Sequence, residues 1–137
     1  MKAVSSRAKE WERFKQELGN GDFEAGVQAV EAAVVALREQ YGSELLSIML
    51  FGSLARGSKR YDDIDLLIVT ASETGPAGEV TRSLAKSIFG PLFLDYGQLF
   101  SFLLYSRGQL KALKGFLPLF DEIAQEGIVL HGQDPFA

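Results

Sequence analysis

Residues 50–69 of this 137-residue chain read LFGSLARGSKRYDDIDLLIV, two apolar runs joined by a glycine-containing polar connection. The apolar runs, Leu45–Phe51 and Asp63–Val69, are too short for ordinary helices, and they predict buried β-strands. At the Gly52–Ser53 step the chain would turn and expose backbone N–H groups. Glycine allows a ligand to approach such a bend closely. The segment therefore predicts a sheet with a polar site at one of its ends.

The Gly52–Ser53 bend is a candidate seat for phosphate. Free N–H groups at the start of a helical turn, together with the Ser53 hydroxyl, suit an anion. Arg56, about one turn later, would add a charge-assisted contact. The same residues also fit an ordinary strand-to-helix turn in which Ser53 is the N-cap. Both interpretations are open at this point.

Asp63 and Asp65 are the second candidate feature. Residues i and i+2 of a strand point to the same face, so the two carboxylates would lie side by side. Like charges beside an apolar run repel each other and lose hydration, unless a hard cation such as Mg²⁺ lies between them. The alternative is a strand start in which both acids face water. The apolar continuation Leu66–Val69 indicates a buried strand and favours the metal interpretation.

These features together resemble a known family pattern. The run Gly52-Ser53-Leu54-Ala55-Arg56-Gly57, followed by Asp63-Ile64-Asp65-Leu66, resembles the Gly-Ser … Asp-x-Asp signature of the DNA polymerase beta-like nucleotidyltransferase superfamily, and in particular its minimal nucleotidyltransferases (MNT domains). The resemblance implies that Gly52 and Ser53, with Arg56 nearby, bind the triphosphate of an NTP, ATP foremost. It implies that Asp63 and Asp65 are catalytic residues that bind Mg²⁺. The implied reaction is Mg²⁺-dependent transfer of a nucleotidyl group, AMP foremost, to a hydroxyl of a protein or small molecule.

The third catalytic carboxylate is where this chain departs from the family pattern. Members of the superfamily generally carry it on a later strand that faces the aspartate pair. If that strand covers Phe100–Ser106, Ser101 stands at the expected position, and the nearest acid upstream is Asp95. Asp95 is the candidate third catalytic residue if the chain bulges or breaks near Gly97.

Two functions follow from these alternatives. One is an active nucleotidyltransferase, which the resemblance associates with the MNT antitoxin of a HEPN/MNT pair. The other is a catalytically weakened binding module of the same fold that neutralises or scaffolds a partner. Because the chain has no HEPN-like helical half, a HEPN-type helical partner would act in trans. A third carboxylate beside Asp63 and Asp65 would favour the enzyme, and Ser101 in that place would favour the binding module.

The flanking sequence predicts helices around the strands. Helical periodicity covers residues 8–18, 22–41 (with Asp22 as N-cap), 79–89 (ending at Gly90–Pro91) and 109–125 (broken near Gly115 and Pro118), and extended runs cover 93–105 and 127–131. This alternation predicts an α/β (α+β) fold, a small mixed sheet flanked by helices. We expect a single domain over 1–137, with an accessory N-terminal helix within 1–20 and a loose tail at 133–137.

Composition limits the class of protein. The chain is 47% hydrophobic, contains no cysteine and carries a net charge of −4. This negative net charge argues against extensive binding to the backbone of nucleic acid, because such affinity comes from the neutralisation of phosphates by basic residues. We find no secretory signal and no apolar run of the roughly 20 residues that a membrane span needs. The expectation is a cytoplasmic protein whose ligand is a nucleotide, and its amphipathic N-terminal helix is compatible with a homodimer.

Overall fold

The fold is a mixed sheet with helices on both faces, in a computed structural model that describes residues 9–18, 21–72 and 78–137. Its strand order is β1-β5-β2-β3-β4. The strands are β1 Lys9–Glu10, β2 Leu45–Phe51, β3 Ile64–Thr70, β4 Phe100–Ser106 and β5 Ile128–Gly132. β2 is antiparallel to β3 and β5, whereas β3 runs parallel to β4 and β1 parallel to β5. The predicted fold class is confirmed.

The helices of the described residues lie between these strands along the chain. They are α1 Trp11–Leu18, α2 Glu24–Tyr41, α3 Gly52–Ala55, α4 Gly78–Leu84, α5 Gly90–Tyr96, α6 Arg107–Leu113 and α7 Pro118–Glu126. Short 3₁₀ turns precede α2 and β2, and a π-helical turn over Ala85–Phe89 joins α4 to α5. Across the described ranges, no helix combines the length and the apolar character needed to cross a membrane.

The alternation of β3 divides the core between the two faces of the sheet. Ile64, Leu66 and Ile68 belong to a large apolar core that includes much of α2, and we call this side the α2 face. Leu67 and Val69 belong to a smaller core with residues of α6 and α7, and we call this side the α7 face. Because side chains alternate along a strand, Asp65 shares the α7 face with Leu67 and Val69.

Residues 78–106 differ from the sequence prediction. The helical run expected to end at Gly90–Pro91 goes on through the π-helical turn into α5. Pro91 lies in the first turn of α5, where its missing N–H gives up no hydrogen bond within that helix. The run ends at Gly97, whose φ is 69° and whose N–H donates to the Phe93 carbonyl. β4 therefore begins at Phe100 rather than Phe93, and Asp95 lies on a helix.

Two smaller expectations are also corrected at the chain's ends. Phe23 rather than Asp22 stands at the N-cap position of α2, and no side-chain hydrogen bond caps the helix there. The tail after residue 132 is packed rather than loose. The Ser47 hydroxyl donates to the Gln133 carbonyl, and the Phe136 ring lies 5.7 Å from that of Phe120. The predicted break between two helices near Gly115 and Pro118 is confirmed by the bounds of α6 and α7.

Candidate functional site

One end of the sheet collects the polar residues singled out from the sequence. β2 ends there and β3, β4 and β5 begin there, because β2 is antiparallel to β3 and β5 while β3 and β4 are parallel. The Gly52–Ser53 bend follows β2, and Asp63 and Asp65 stand at the start of β3. Ser101 lies near the start of β4, and Glu126 ends α7 shortly before β5.

Gly52 brings the bend directly against Asp65. Phe51 is the register partner of Asp65, so the next residue turns across the start of β3. Gly52 has φ +80°, and a Cβ built on it would lie 2.1 Å from Asp65 Oδ2. Glycine is therefore required here twice over, for its left-handed backbone and for the space that the carboxylate occupies. The structure brings the bend and this aspartate together.

The two aspartates interact electrostatically. Burial is the main cause that raises the pKa of Asp65 to about 6; the negative charge of Asp63 acts in the same direction, and the positive charge of Arg56 opposes both. Asp63 lies in the bend just before β3, and both side chains are partly exposed. Partial burial and a like-charged neighbour both disfavour an ionised Asp65 in the absence of a cation. Mg²⁺ favours sites with one or two carboxylates that leave positions for phosphate oxygens, and this donor set fits that requirement.

Arg56 links the bend to α7. Its Nη1 donates to Glu126 Oε1 at 3.1 Å, and its Nη2 donates to Ser53 Oγ at 3.4 Å. α3 is a single turn, and the Arg56 N–H closes it on the carbonyls of Gly52 and Ser53. The guanidinium thus lies beside the proposed phosphate seat while also bonded to a carboxylate of a distant helix.

Ser101 occupies the place where a third carboxylate is expected. It pairs in register with Asp65, and Leu103 and Tyr105 of the same strand pack into the α7-face core. Ser101 therefore shares the face of Asp65. Asp95 is exposed on α5, before the Gly97 turn. Within residues 9–18, 21–72 and 78–137, no three His, Cys, Asp or Glu side chains gather closely enough to hold a metal. The proposed recruitment of Asp95 to the pair is therefore not seen.

The loop that leads into Asp63 is held by Tyr61. Its hydroxyl donates to Gln98 Oε1 at 2.8 Å, which ties this loop to the segment before β4. The ring packs against α2, where a Cβ added to Gly26 would lie 2.5 Å from the hydroxyl oxygen. Sequence reasoning missed Tyr61 and Gln98, because 37 residues separate them and no local pattern marks the contact.

The bend, Asp65 and α7 enclose a cleft of about 200 Å³. Its lining residues are Phe51, Gly52, Ser53, Arg56, Asp65, Leu119, Glu122, Ile123 and Glu126. Larger concavities lie beside His131 and beside Lys111 and Lys114, but neither is lined by Asp65 or by the Gly52–Ser53 bend. We assign the site by its chemistry rather than its volume. Sequence reasoning also missed Glu122 and Glu126, whose only local signal is their position on the helix that leads into β5.

Comparison with known proteins agrees with this architecture. The chain matches the family model of the nucleotidyltransferase domain over residues 31–100, more than half of its length, and it belongs to that family. The match includes the bend and both aspartates. No curated protein matches the chain.

Solved structures show the same fold. A mutant of the toxin-antitoxin MntA-HpeT is 19% identical, with 75% of this chain and 72% of that chain covered and a TM-score of 0.52. A toxin-antitoxin with AMP-PNP is 18% identical, with 74% and 72% covered and a TM-score of 0.51. The nucleotidyltransferase family that the resemblance predicts is thus confirmed by the family model, and the fold is confirmed by these structures.

Proposed function

We propose that this domain binds a nucleoside triphosphate together with a divalent cation, ATP and Mg²⁺ foremost, and that its capacity for nucleotidyl transfer is weak. The binding proposal is supported by the contact between Gly52 and Asp65, which joins a phosphate seat to a carboxylate pair. In this assignment the Gly52–Ser53 bend and Arg56 bind the phosphates. Asp63 and Asp65 hold the cation.

The proposal of weak transfer is carried by one observation, the register of Ser101 with Asp65. When bound, the cation neutralises charge on the phosphates and polarises them for attack. A neighbouring carboxylate would complete the metal site and take the proton from an acceptor hydroxyl. Un-ionised serine is a poor base at neutral pH. β4 therefore offers no obvious side chain to take the proton from the acceptor hydroxyl. Nucleotide and cation binding depend on β2 and β3 and do not need Ser101.

The proposed partner is a HEPN-type helical protein acting in trans. The support is the likeness in fold to toxin-antitoxin structures, one of them with AMP-PNP. A domain that binds nucleotide but transfers it slowly would act mainly by masking or scaffolding this partner. The site opens at one end of the sheet, where a partner segment could reach it.

An active nucleotidyltransferase is the second candidate. It is favoured by the retention of both aspartates of the pair beside an intact bend. In this case the acceptor would be a hydroxyl of the partner or of a small molecule, and another group would assist its deprotonation.

Ser101→Asp separates the two candidates. We would measure binding of Mg²⁺-ATP by calorimetry and transfer of label from ATP to a candidate HEPN-type protein. For weak transfer, we expect Ser101→Asp to raise the rate about 100-fold, the lower range for an added general base. The isosteric control Ser101→Asn should leave the rate unchanged. Asp65→Asn should reduce Mg²⁺-ATP affinity about tenfold or more, because it removes a charged ligand of the cation.

Each outcome has a defined meaning. A wild-type rate that Ser101→Asp does not raise and Asp65→Asn abolishes would establish the active enzyme instead. A wild-type protein that does not bind Mg²⁺-ATP would refute the nucleotide-binding function altogether.

A further inference from the structure

Helix α7 contributes a second, acidic wall to the cleft. Gly52, Ser53, Arg56 and Asp65 form one side, and Glu122 and Glu126 line the opposite side together with Leu119 and Ile123. Ile123 is fully buried in the α7-face core, which anchors this part of the helix against the sheet. The acidic wall is therefore positioned by packing and not by the site itself.

The ion pair between Arg56 and Glu126 spans the two walls. The side chains are 49% and 43% exposed, and exposed pairs of this kind contribute below about 1 kcal/mol to stability. The ion pair can affect ligand binding more than it affects stability, because the Arg56 guanidinium also donates to Ser53 Oγ at the proposed phosphate site. A phosphate bound at Ser53 would have to share Arg56 with Glu126, or displace Glu126 from it.

The charge of the cleft disfavours a bare polyphosphate. Among the described residues that line it, Asp65, Glu122 and Glu126 face one cation, Arg56, and Asp63 lies close enough to perturb Asp65. A metal-free nucleotide brings further negative charge into this surface. A divalent cation at Asp63 and Asp65 reverses the balance near the phosphates and offsets the loss of the ion pair.

Resting on the proposed function, we propose that Glu126 is a specificity-determining residue. Its carboxylate competes with phosphate for Arg56, so that the cleft accepts a nucleoside triphosphate as its metal complex and rejects the metal-free form. Glu126 thus acts against phosphate binding, in contrast to Asp65, which acts through the cation.

The test is the ratio of two affinities rather than an activity. ATP binding would be measured by calorimetry in Mg²⁺ and in EDTA, for the wild type and Glu126→Gln. We expect Glu126→Gln to strengthen metal-free ATP binding about fivefold, the change that about 1 kcal/mol produces, and Mg²⁺-ATP binding less than twofold. Glu39→Gln is the matched control, since it removes the same charge from an exposed position on α2 and should change neither affinity.

A double-mutant cycle with Arg56→Gln tests the route. If Glu126 acts by engaging Arg56, Glu126→Gln should have little further effect on metal-free binding in the Arg56→Gln background. Thermal melts would verify that each variant is folded, as expected for side chains this exposed.

The results separate this inference from the proposed function. Three results would overturn the role of Glu126 alone. They are an unchanged affinity ratio in Glu126→Gln, an equal change of the ratio in Glu39→Gln, and an effect of Glu126→Gln that survives in the Arg56→Gln background. In those cases the proposed function stands if the wild type binds Mg²⁺-ATP and Asp65→Asn weakens that binding. Failure of the wild type to bind Mg²⁺-ATP would overturn both.

Discussion

The two faces of the sheet are built from the same strands but differ in what they contain. On the α2 face, Ile64, Leu66 and Ile68 pack into a continuous apolar core with α2. On the α7 face, Leu67 and Val69 enter a smaller core, and the strand opens with Asp65 where that core ends. The difference shows how one strand serves both stability and a site. The apolar residues of β3 that point to the α2 face hold the strand in register by packing. That register fixes the position of the Asp65 carboxylate.

This comparison separates two kinds of substitution. Changes at the polar end of the α7 face should alter ligand binding more than stability. Changes on the α2 face should alter the free energy of unfolding and leave binding nearly unchanged.

Gly52→Ala should have the largest effect on binding. Its Cβ would collide with Asp65 Oδ2, so the carboxylate must move, and the φ of +80° adds backbone strain. We expect the affinity for Mg²⁺-ATP to fall about tenfold or more, with an unfolding free energy lower by about 1–2 kcal/mol. Calorimetry and urea denaturation would measure the two quantities.

Gly57→Ala is the matched control for Gly52→Ala. Gly57 has φ +77°, but a Cβ there would meet nothing within 4 Å. Gly57→Ala should therefore lower the free energy of unfolding by a similar amount through backbone strain, and it should leave the affinity for Mg²⁺-ATP unchanged. Equal losses of affinity in the two variants would mean that backbone strain, and not contact with Asp65, explains the requirement for glycine.

Tyr61→Phe should have an intermediate effect on both quantities. The Tyr61 ring packs on the α2-face core, and its hydroxyl donates to Gln98, which ties the loop before Asp63 to the segment before β4. We expect a loss of about 1 kcal/mol in unfolding free energy, typical of one hydrogen bond, and about a threefold loss of Mg²⁺-ATP affinity. The comparison would be Tyr41→Phe, a partly buried tyrosine for which the described structure gives no hydrogen bond. If both variants bind equally well, the Tyr61 hydroxyl does not position Asp63.

Glu31→Gln should have the smallest effect and should act on stability alone. Glu31 on α2 accepts from Lys15 and from Trp11 Nε1 of α1, on the side of the molecule away from the cleft. The hydrogen bond from Lys15 lowers the pKa of Glu31, and the same contact raises the pKa of Lys15. With both groups charged, the pair contributes below about 1 kcal/mol, because Glu31 is partly exposed.

The pH dependence of that contribution has a definite sign. A lowered carboxylate pKa gives stability that is lost as pH falls below 4.5 through the folded value. A raised lysine pKa gives stability that is lost as pH rises beyond 10.5 through the folded value. The melting temperature of the wild type should thus exceed that of Glu31→Gln by a few degrees at neutral pH and converge with it at both extremes. A constant difference across this range would contradict the assignment.

Much of the site's framework could be predicted from local sequence. The apolar runs of β2 and β3 mark buried strands, and the glycine–serine step and paired aspartates mark their polar ends. The prediction failed around residues 90–99, where aromatic residues of high strand propensity belong partly to a helix. A proline in a first helical turn and a left-handed glycine after the last turn shift the start of β4, and they leave Asp95 outside the site.

The sequence alone determined the family, the strand pair and the residues that we propose to bind phosphate and cation, because those signals lie within 20 neighbouring positions. Only the tertiary structure decided that Ser101 lies beside Asp65 and that Glu126 contacts Arg56. Both depend on strand register and helix packing between segments distant along the chain. Such contacts follow from how the whole core closes, and no local pattern of residues encodes them.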